Sequence, residues 1–207
     1  MSHSRIYINK ILYIKGELLM NFLFLVGPDA VGKSCFLNEL STKTNFFTFD
    51  IKKQLKKLHQ EYSPKIKFEK WINYLNRKHG SYGIYEMLQK EFDKEYDGSN
   101  NVVITGFSEI QGIEYMIMYY KPELYEILYL DADYNLLKSN LESKEKINIS
   151  DKKFQKHLIN EEENGLKYIK DLATSNLINF RYFKKNNNED DIPIHIFENL
   201  QRTLNKK

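Results

Sequence analysis

The 207-residue chain is 42% hydrophobic and 29% charged, an ordinary globular composition with enough length for one well-cored domain. Its net charge of +3 is too small to mark a nucleic-acid binder, so nucleic acid is not an expected partner. One cysteine, Cys35, excludes a disulfide framework and a multi-cysteine zinc site. No apolar run approaches the roughly 18–20 residues that span a bilayer, so the expected setting is cytoplasmic, away from membranes.

Residues 1–19 lack a signal-peptide core, because Lys10 and Lys15 interrupt the apolar stretches. Lys15-Gly16-Glu17 can be encoded by a purine-rich string resembling a ribosome-binding site shortly before Met20. Translation is therefore expected to start at Met20 in a bacterium or phage, leaving 1–19 as a non-native or disordered extension. A genuine arm or extra strand is the alternative.

Asn21 to Val26 is a short apolar run with no amphipathic period, as in a strand buried on both faces. A glycine-bearing turn and a helix from Lys33 to about Leu40 follow. Phe46 to Phe49 reads as a second strand ending at Asp50. From Ile51 to about Asp97 the pattern is helical, punctuated by Ser63-Pro64 and by Gly80-Ser81-Tyr82-Gly83. Val102 to Ile104 is a third strand and Ile127 to Leu130 a fourth, ending at Asp131-Ala132-Asp133. A long helix to about Ala173 is expected after an Asp151 or Ser150 cap. Leu177 to Phe180 is a fifth candidate strand, Lys184 to Asp191 a polar loop, and Pro193 opens a closing helix. Strands alternating with helices imply βαβ units and a parallel sheet covered on both faces.

Gly27-Pro28-Asp29-Ala30-Val31-Gly32-Lys33-Ser34 satisfies G-x-x-x-x-G-K-[ST] in full. Gly27 and Gly32 permit a tight loop whose N–H groups face phosphate oxygens. Lys33 supplies a cation to the β- and γ-phosphates, and the Ser34 hydroxyl is the expected Mg²⁺ ligand. The helix that follows adds its positive end. Nucleoside triphosphate binding by residues 27–35 follows from this placement between strand and helix. Asp29 sits at a variable position of the motif and reaches metal, acceptor or solvent. Cys35 is expected as buried packing whose modification blocks the nucleotide.

The absence of an Asn-Lys-x-Asp segment after a strand argues against a GTPase. With its Gly27–Ser34 loop, the strand ending in Asp50, Gly80 before a helix, Val102 to Phe107, and the late segment Phe154 to Asn179, the chain resembles the P-loop nucleoside and nucleotide kinases. Within that group it looks most like dephospho-CoA kinases and archaeal and phage nucleotide kinases. The resemblance covers about residues 21–180. It implies a three-layer α/β/α sandwich with a five-stranded parallel sheet, a helical acceptor-binding insertion over 52–100 and a lid over 135–150, all in one domain spanning 20–207. It also implies ATP and Mg²⁺ as cofactors, and γ-phosphoryl transfer to a small anionic acceptor such as a nucleoside monophosphate or a dephospho-CoA-like molecule. The chain departs from the family at Thr105-Gly106-Phe107-Ser108, where Asp-Gly and a nearby arginine are usual. Its lid carries Lys138, Lys144 and Lys146 in place of arginines.

Asp50 is the candidate group that orients or deprotonates the acceptor, or acts on Mg²⁺ through water; a helix cap is the alternative role. Between Lys52 and Gly80 nine basic and two acidic residues give a local net charge of +7, a field for an anionic acceptor or simply a solvated lysine face. Arg77 is the chosen phosphate contact there, with Lys138 and Lys144 on the acceptor side of the lid. Trp71, Tyr74 and Tyr82 suit base stacking, although their helical spacing favours core. The five histidines show no metal-ligand spacing. A non-catalytic ATP-binding module and a polynucleotide 5′-kinase are the competing functions, and the expected assembly is a monomer or homodimer.

Overall fold

The first strand, β1, is Asn21–Val26, and all six residues are buried. Strand alternation sends Phe22, Phe24 and Val26 into one hydrophobic cluster and Leu23 and Leu25 into another on the opposite face. Two-sided burial is the reason the run shows no amphipathic period. The structure is a computed structural model that describes residues 20–173 and 175–178. The expectations for residues 1–19, for the Lys184 to Asp191 loop and for the helix from Pro193 lie outside the described residues.

The sheet runs β2-β3-β1-β4-β5, with β2 Phe47–Asp50, β3 Asn101–Thr105, β4 Leu124–Asp131 and β5 Ser175–Ile178. Every pairing is parallel, so each connection must cross the sheet. The crossovers are α1 Lys33–Lys43, α2 Ile51–Tyr62, α3 Phe68–Glu95, α4 Ile110–Tyr120, α5 Tyr134–Glu145, α6 Asp151–Glu161 and α7 Lys167–Leu172. The strand β1 lies between β3 and β4, where the order reverses, and such a switch point opens a crevice at the strands' carboxyl ends.

On one face Phe22, Phe24 and Phe49 pack with Leu88 and Phe92 of α3 and Ile113 of α4. On the other, Leu23 and Leu25 meet Phe36 and Leu40 of α1, Leu137 and Leu141 of α5, and Phe154 of α6. Phe22 contacts the rings of Phe24, Phe92 and Tyr120 at centroid distances of 5.7, 6.2 and 5.7 Å. Truncation of such a fully buried ring to alanine costs about 3–5 kcal/mol.

The helical stretch after Asp50 breaks where its punctuation falls. At Ser63 the backbone leaves the helix, and within α3 Gly80 takes φ 71°, ψ 178° and kinks it. The single long helix expected after Asp151 is interrupted. A π-turn occupies Glu162–Leu166, with Gly165 at φ 115°. A Cβ on Gly165 would stand 2.9 Å from the Ser108 carbonyl oxygen, so glycine lets this turn press against the loop after β3. The cap of α6 is Ser150, whose side chain accepts from Lys153 N. Among the described residues no helix is long and apolar enough to cross a membrane.

Candidate active site

The loop between β1 and α1 is forced into shape by its glycines. Gly27 adopts φ 142°, and a Cβ there would lie 2.3 Å from the Leu130 carbonyl oxygen, so the loop wedges against β4. Ala30 takes φ 63°, a left-handed conformation that costs an L-residue about 1–2 kcal/mol. Gly32 caps α1 at φ 102° with no side-chain partner, leaving first-turn N–H groups open toward the crevice. Together these give a strained loop ahead of a helix start that has no side-chain cap.

Lys33 folds back across this loop and donates to the carbonyl oxygens of Gly27 at 2.7 Å and Pro28 at 2.8 Å. Burial pushes its ammonium down to about 8; Asp29 and Glu161 partly restore it, while Lys52 and Lys144 depress it further. Around it opens a cavity of about 1120 Å³ lined by Ser34, Asp50, Lys52, Lys53, Lys56, Lys57 and Lys144. Asn140 of α5 donates to Ala30 O at 3.1 Å and ties that helix to the loop. Ser34 is exposed on this cavity, and Asp50 lines it as well. These are hard oxygen groups of the kind Mg²⁺ takes alongside phosphate oxygens and waters.

A second cavity of about 380 Å³ opens on the other side of Asp29, and a third of about 240 Å³ lies under α2 and α3. Lys52 lines all three. Its ammonium lies 2.6 Å from Asp29 Oδ1. Burial raises the Asp29 carboxyl, but the hydrogen bond from Lys52 and the charges of Lys52, Lys33 and Lys144 outweigh it and hold the group below its ordinary value. The Asp29 backbone N–H donates to Glu161, whose two oxygens stand 3.1 and 3.3 Å away. Burial and the Asp29 charge raise Glu161, against the Asp29 N–H, His157 and Lys52. His157 Nε2 lies 3.4 Å from Glu161 Oε2. On the wall of the third cavity, Tyr85 donates to Glu109 at 3.3 Å, and burial raises the Tyr85 phenol.

The residues picked out in sequence divide between these places. Asp29, Ala30, Val31, Gly32, Lys33, Ser34 and Cys35 line the 1120 Å³ cavity together with Asp50 and Lys144, and Gly27 borders the second. Asp50 is also the N-cap of α2, accepting from Lys53 N at 2.9 Å, so one of its oxygens is committed to the backbone. Cys35 is exposed, which corrects the expectation of buried packing: the first turn of α1 faces the cavity before the helix meets the sheet. Trp71 is core, but Tyr74 and Tyr82 are exposed, and Tyr82 lies beside Tyr115 with ring centroids 6.0 Å apart. Arg77 is exposed on α3 and lines none of the three cavities. Lys138 pairs with Asp151 at 2.7 Å, also outside them.

Lys52, Glu161, His157 and Glu109 went unnoticed as site residues in the sequence. The acidic run Glu161-Glu162-Glu163 was visible, but nothing linear joins position 161 to position 29. Among the described residues, Asp29, His157 and Glu161 also bring possible metal-ligating atoms within 4.8 Å of one another. The Lys52 ammonium already supplies a cation to that group.

The sequence matches no family profile and no curated protein. In three dimensions the chain is similar to shikimate kinase from Aquifex aeolicus, with TM-score 0.50 and 18% identity over 87% of this chain and 96% of that one. It is similar to shikimate kinase from Acinetobacter baumannii, solved in complex with shikimate, with TM-score 0.50 and 15% identity over 93% and 98% of the two chains. At such identities the likeness is one of fold: an α/β architecture with a parallel sheet, as in those two kinases.

Proposed function

We propose that the protein is an ATP-dependent kinase that transfers the γ-phosphoryl group to a small-molecule acceptor. The observation that carries this reading is the strained loop around Lys33, opening on a lysine-rich cavity with smaller cavities beside it. Phosphoryl transfer needs alignment and charge neutralisation more than covalent help from the protein. The loop N–H groups and Lys33 would hold the triphosphate, with Lys52, Lys56 and Lys144 adding positive charge along the same wall. Mg²⁺ bound at Ser34, with Asp50 behind it through water, would neutralise the β- and γ-oxygens. A fold shared with kinases of shikimate agrees with a small acceptor.

Nucleoside and deoxynucleoside monophosphates and dephospho-CoA-like molecules are the acceptors expected from the sequence. The nucleotide-kinase reading, the 52–100 acceptor insertion and the 135–150 lid belong to this proposal. A non-catalytic nucleotide binder is the second reading, favoured by Lys33 being engaged with Gly27 and Pro28 and by Glu161 occupying the Asp29 N–H. ADP formation from ATP and Mg²⁺, measured with and without each member of an acceptor panel, separates the two. Acceptor-dependent ADP supports the kinase; tight ATP binding without turnover on any acceptor supports the binder.

A further inference from the structure

We propose that the acceptor is an uncharged alcohol, not a phosphate ester, and that Glu161 takes the proton from its hydroxyl. This rests on the kinase reading above and replaces the phosphorylated acceptor expected from the sequence. The charges around the three cavities carry it. The nucleotide-side cavity is lined by six lysines, Lys33, Lys52, Lys53, Lys56, Lys57 and Lys144, against three carboxylates, Asp29, Asp50 and Glu95, a net positive setting for a triphosphate. The 380 Å³ cavity on the other side of Asp29 has three carboxylates, Asp29, Glu109 and Glu161, and one lysine, Lys52. That lysine is already paired with Asp29 at 2.6 Å.

A phosphate dianion in this second cavity would face Glu109 and Glu161 with the Lys52 ammonium already paired and the His157 imidazole beside Glu161, and like charges in such a site repel strongly. Arg77, the expected phosphate contact, is not on its wall. The adjoining 240 Å³ pocket shares Lys52, Phe107, Ser108 and Glu109 with it and is otherwise walled largely by Ile51, Leu55, Phe68, Ile72 and Ile84. Such a wall accepts the apolar body of a ring, with Lys56, Asn76 and Tyr85 as further polar groups on it.

Glu161 stands at the seam between the two sides, with both oxygens within 3.3 Å of the amide of the third phosphate-loop residue. The π-turn that follows it, pressed onto the Ser108 carbonyl through Gly165, fixes the end of α6 in that place. In the step, the acceptor O–H bond breaks and its proton passes to the Glu161 carboxylate. The oxygen bonds to the γ-phosphorus, the bond to the β,γ-bridging oxygen breaks, and that electron pair leaves with ADP. A phosphate ester acceptor is already ionised and needs no such base. The groups facing Glu161 are Asp29 and Lys33 from the loop, Lys52 from α2, Glu109 from the loop after β3 and His157 from its own helix. Burial and Asp29 raise its proton affinity, which suits a base that holds the proton during transfer.

The test uses matched pairs with the full-length protein: deoxycytidine and dCMP, thymidine and dTMP, adenosine and AMP. ADP release is followed at saturating ATP and Mg²⁺. The expected result is a kcat/KM at least about 100-fold higher for an alcohol than for its own ester; the reverse preference overturns the proposal. Glu161→Gln is expected to lower kcat about 100-fold or more with acceptor KM nearly unchanged, and to erase the acid limb of the wild-type pH profile. Wild-type turnover in that variant removes Glu161 from the step. Glu109→Gln is expected to narrow the alcohol-to-ester ratio about tenfold; an unchanged ratio overturns the electrostatic explanation. Calorimetry with a non-hydrolysable ATP analogue reads acceptor preference without turnover. Tighter binding of the alcohol supports the class, whereas tighter ester binding, or binding of neither, overturns it. If the analogue and an alcohol bind but no alcohol yields ADP from ATP, the kinase reading and the role of Glu161 fall together, and the class assignment stands.

Discussion

The two sides of the loop between β1 and α1 differ in what holds them together. Around the 1120 Å³ cavity, six lysines from α1, α2 and α5 outnumber the carboxylates of Asp29, Asp50 and Glu95, and Lys33 turns back onto backbone carbonyl oxygens. On the other side, carboxylates from the loop, from α6 and from the β3–α4 connection meet around the one ammonium of Lys52. One half is thus short of negative charge and the other rich in it. Paired surface charges are worth little to the fold, whereas an unbalanced, shielded cluster is costly and persists where a ligand completes it.

The largest way to break this contrast is Lys33→Ala, which should reduce transfer by about 1000-fold or more and weaken ATP binding markedly, read by ADP release and calorimetry. Retained ATP affinity would place the nucleotide elsewhere. Gly27→Ala should destabilise the fold by about 2–4 kcal/mol and abolish ATP binding, because its Cβ would strike Leu130 O. Urea unfolding and nucleotide titration check both parts.

A pH titration sharpens the same comparison. The free Lys33 ammonium titrates near 8, and a bound triphosphate raises its proton affinity. ATP affinity should therefore be flat below about pH 7 and fall by up to about tenfold per pH unit above 8. The apo protein responds with the opposite sign. A lysine depressed in the folded state costs stability when protonated, so stability gains from this group between about pH 8 and its ordinary value of 10.5. A pH-independent ATP affinity over that window would remove Lys33 from phosphate contact.

Smaller effects are expected from the remaining polar groups. Asp50→Asn keeps a capping oxygen for Lys53 N, so the melting temperature should hold while turnover drops about tenfold and the Mg²⁺ requirement rises. Unchanged turnover would leave Asp50 as a cap alone. Lys144→Ala should weaken ATP binding about threefold, whereas Lys138→Ala, whose partner Asp151 faces solvent, should leave it within about twofold.

The architecture was legible in the sequence where a local pattern has a single physical solution. The buried run at β1, the glycine-lysine loop and the apolar runs of β3 and β4 each read correctly, because backbone geometry and two-sided burial act within a few residues. Element ends were less legible. The strand β4 begins at Leu124, three residues before its apolar run, because parallel pairing with Asn21 extends it. The break in the helix after Asp151 depends on how closely Gly165 approaches Ser108, a contact between segments far apart in the chain.

What the amino-acid sequence determined by itself is the shape of the loop at positions 27 to 34: these are covalent neighbours, and glycine torsions and a helix start suffice to build it. What the tertiary structure alone decided is which charges share a cavity. Asp29 meets Lys52 across 23 positions and Glu161 across 132, and the evenly basic 52–80 stretch divides, with Lys52, Lys53, Lys56 and Lys57 on the wall of the 1120 Å³ cavity and Arg77 on an outer face. Electrostatics acts through space, so the sign of a site is set by how helices pack around the sheet and not by the charge counted along a segment.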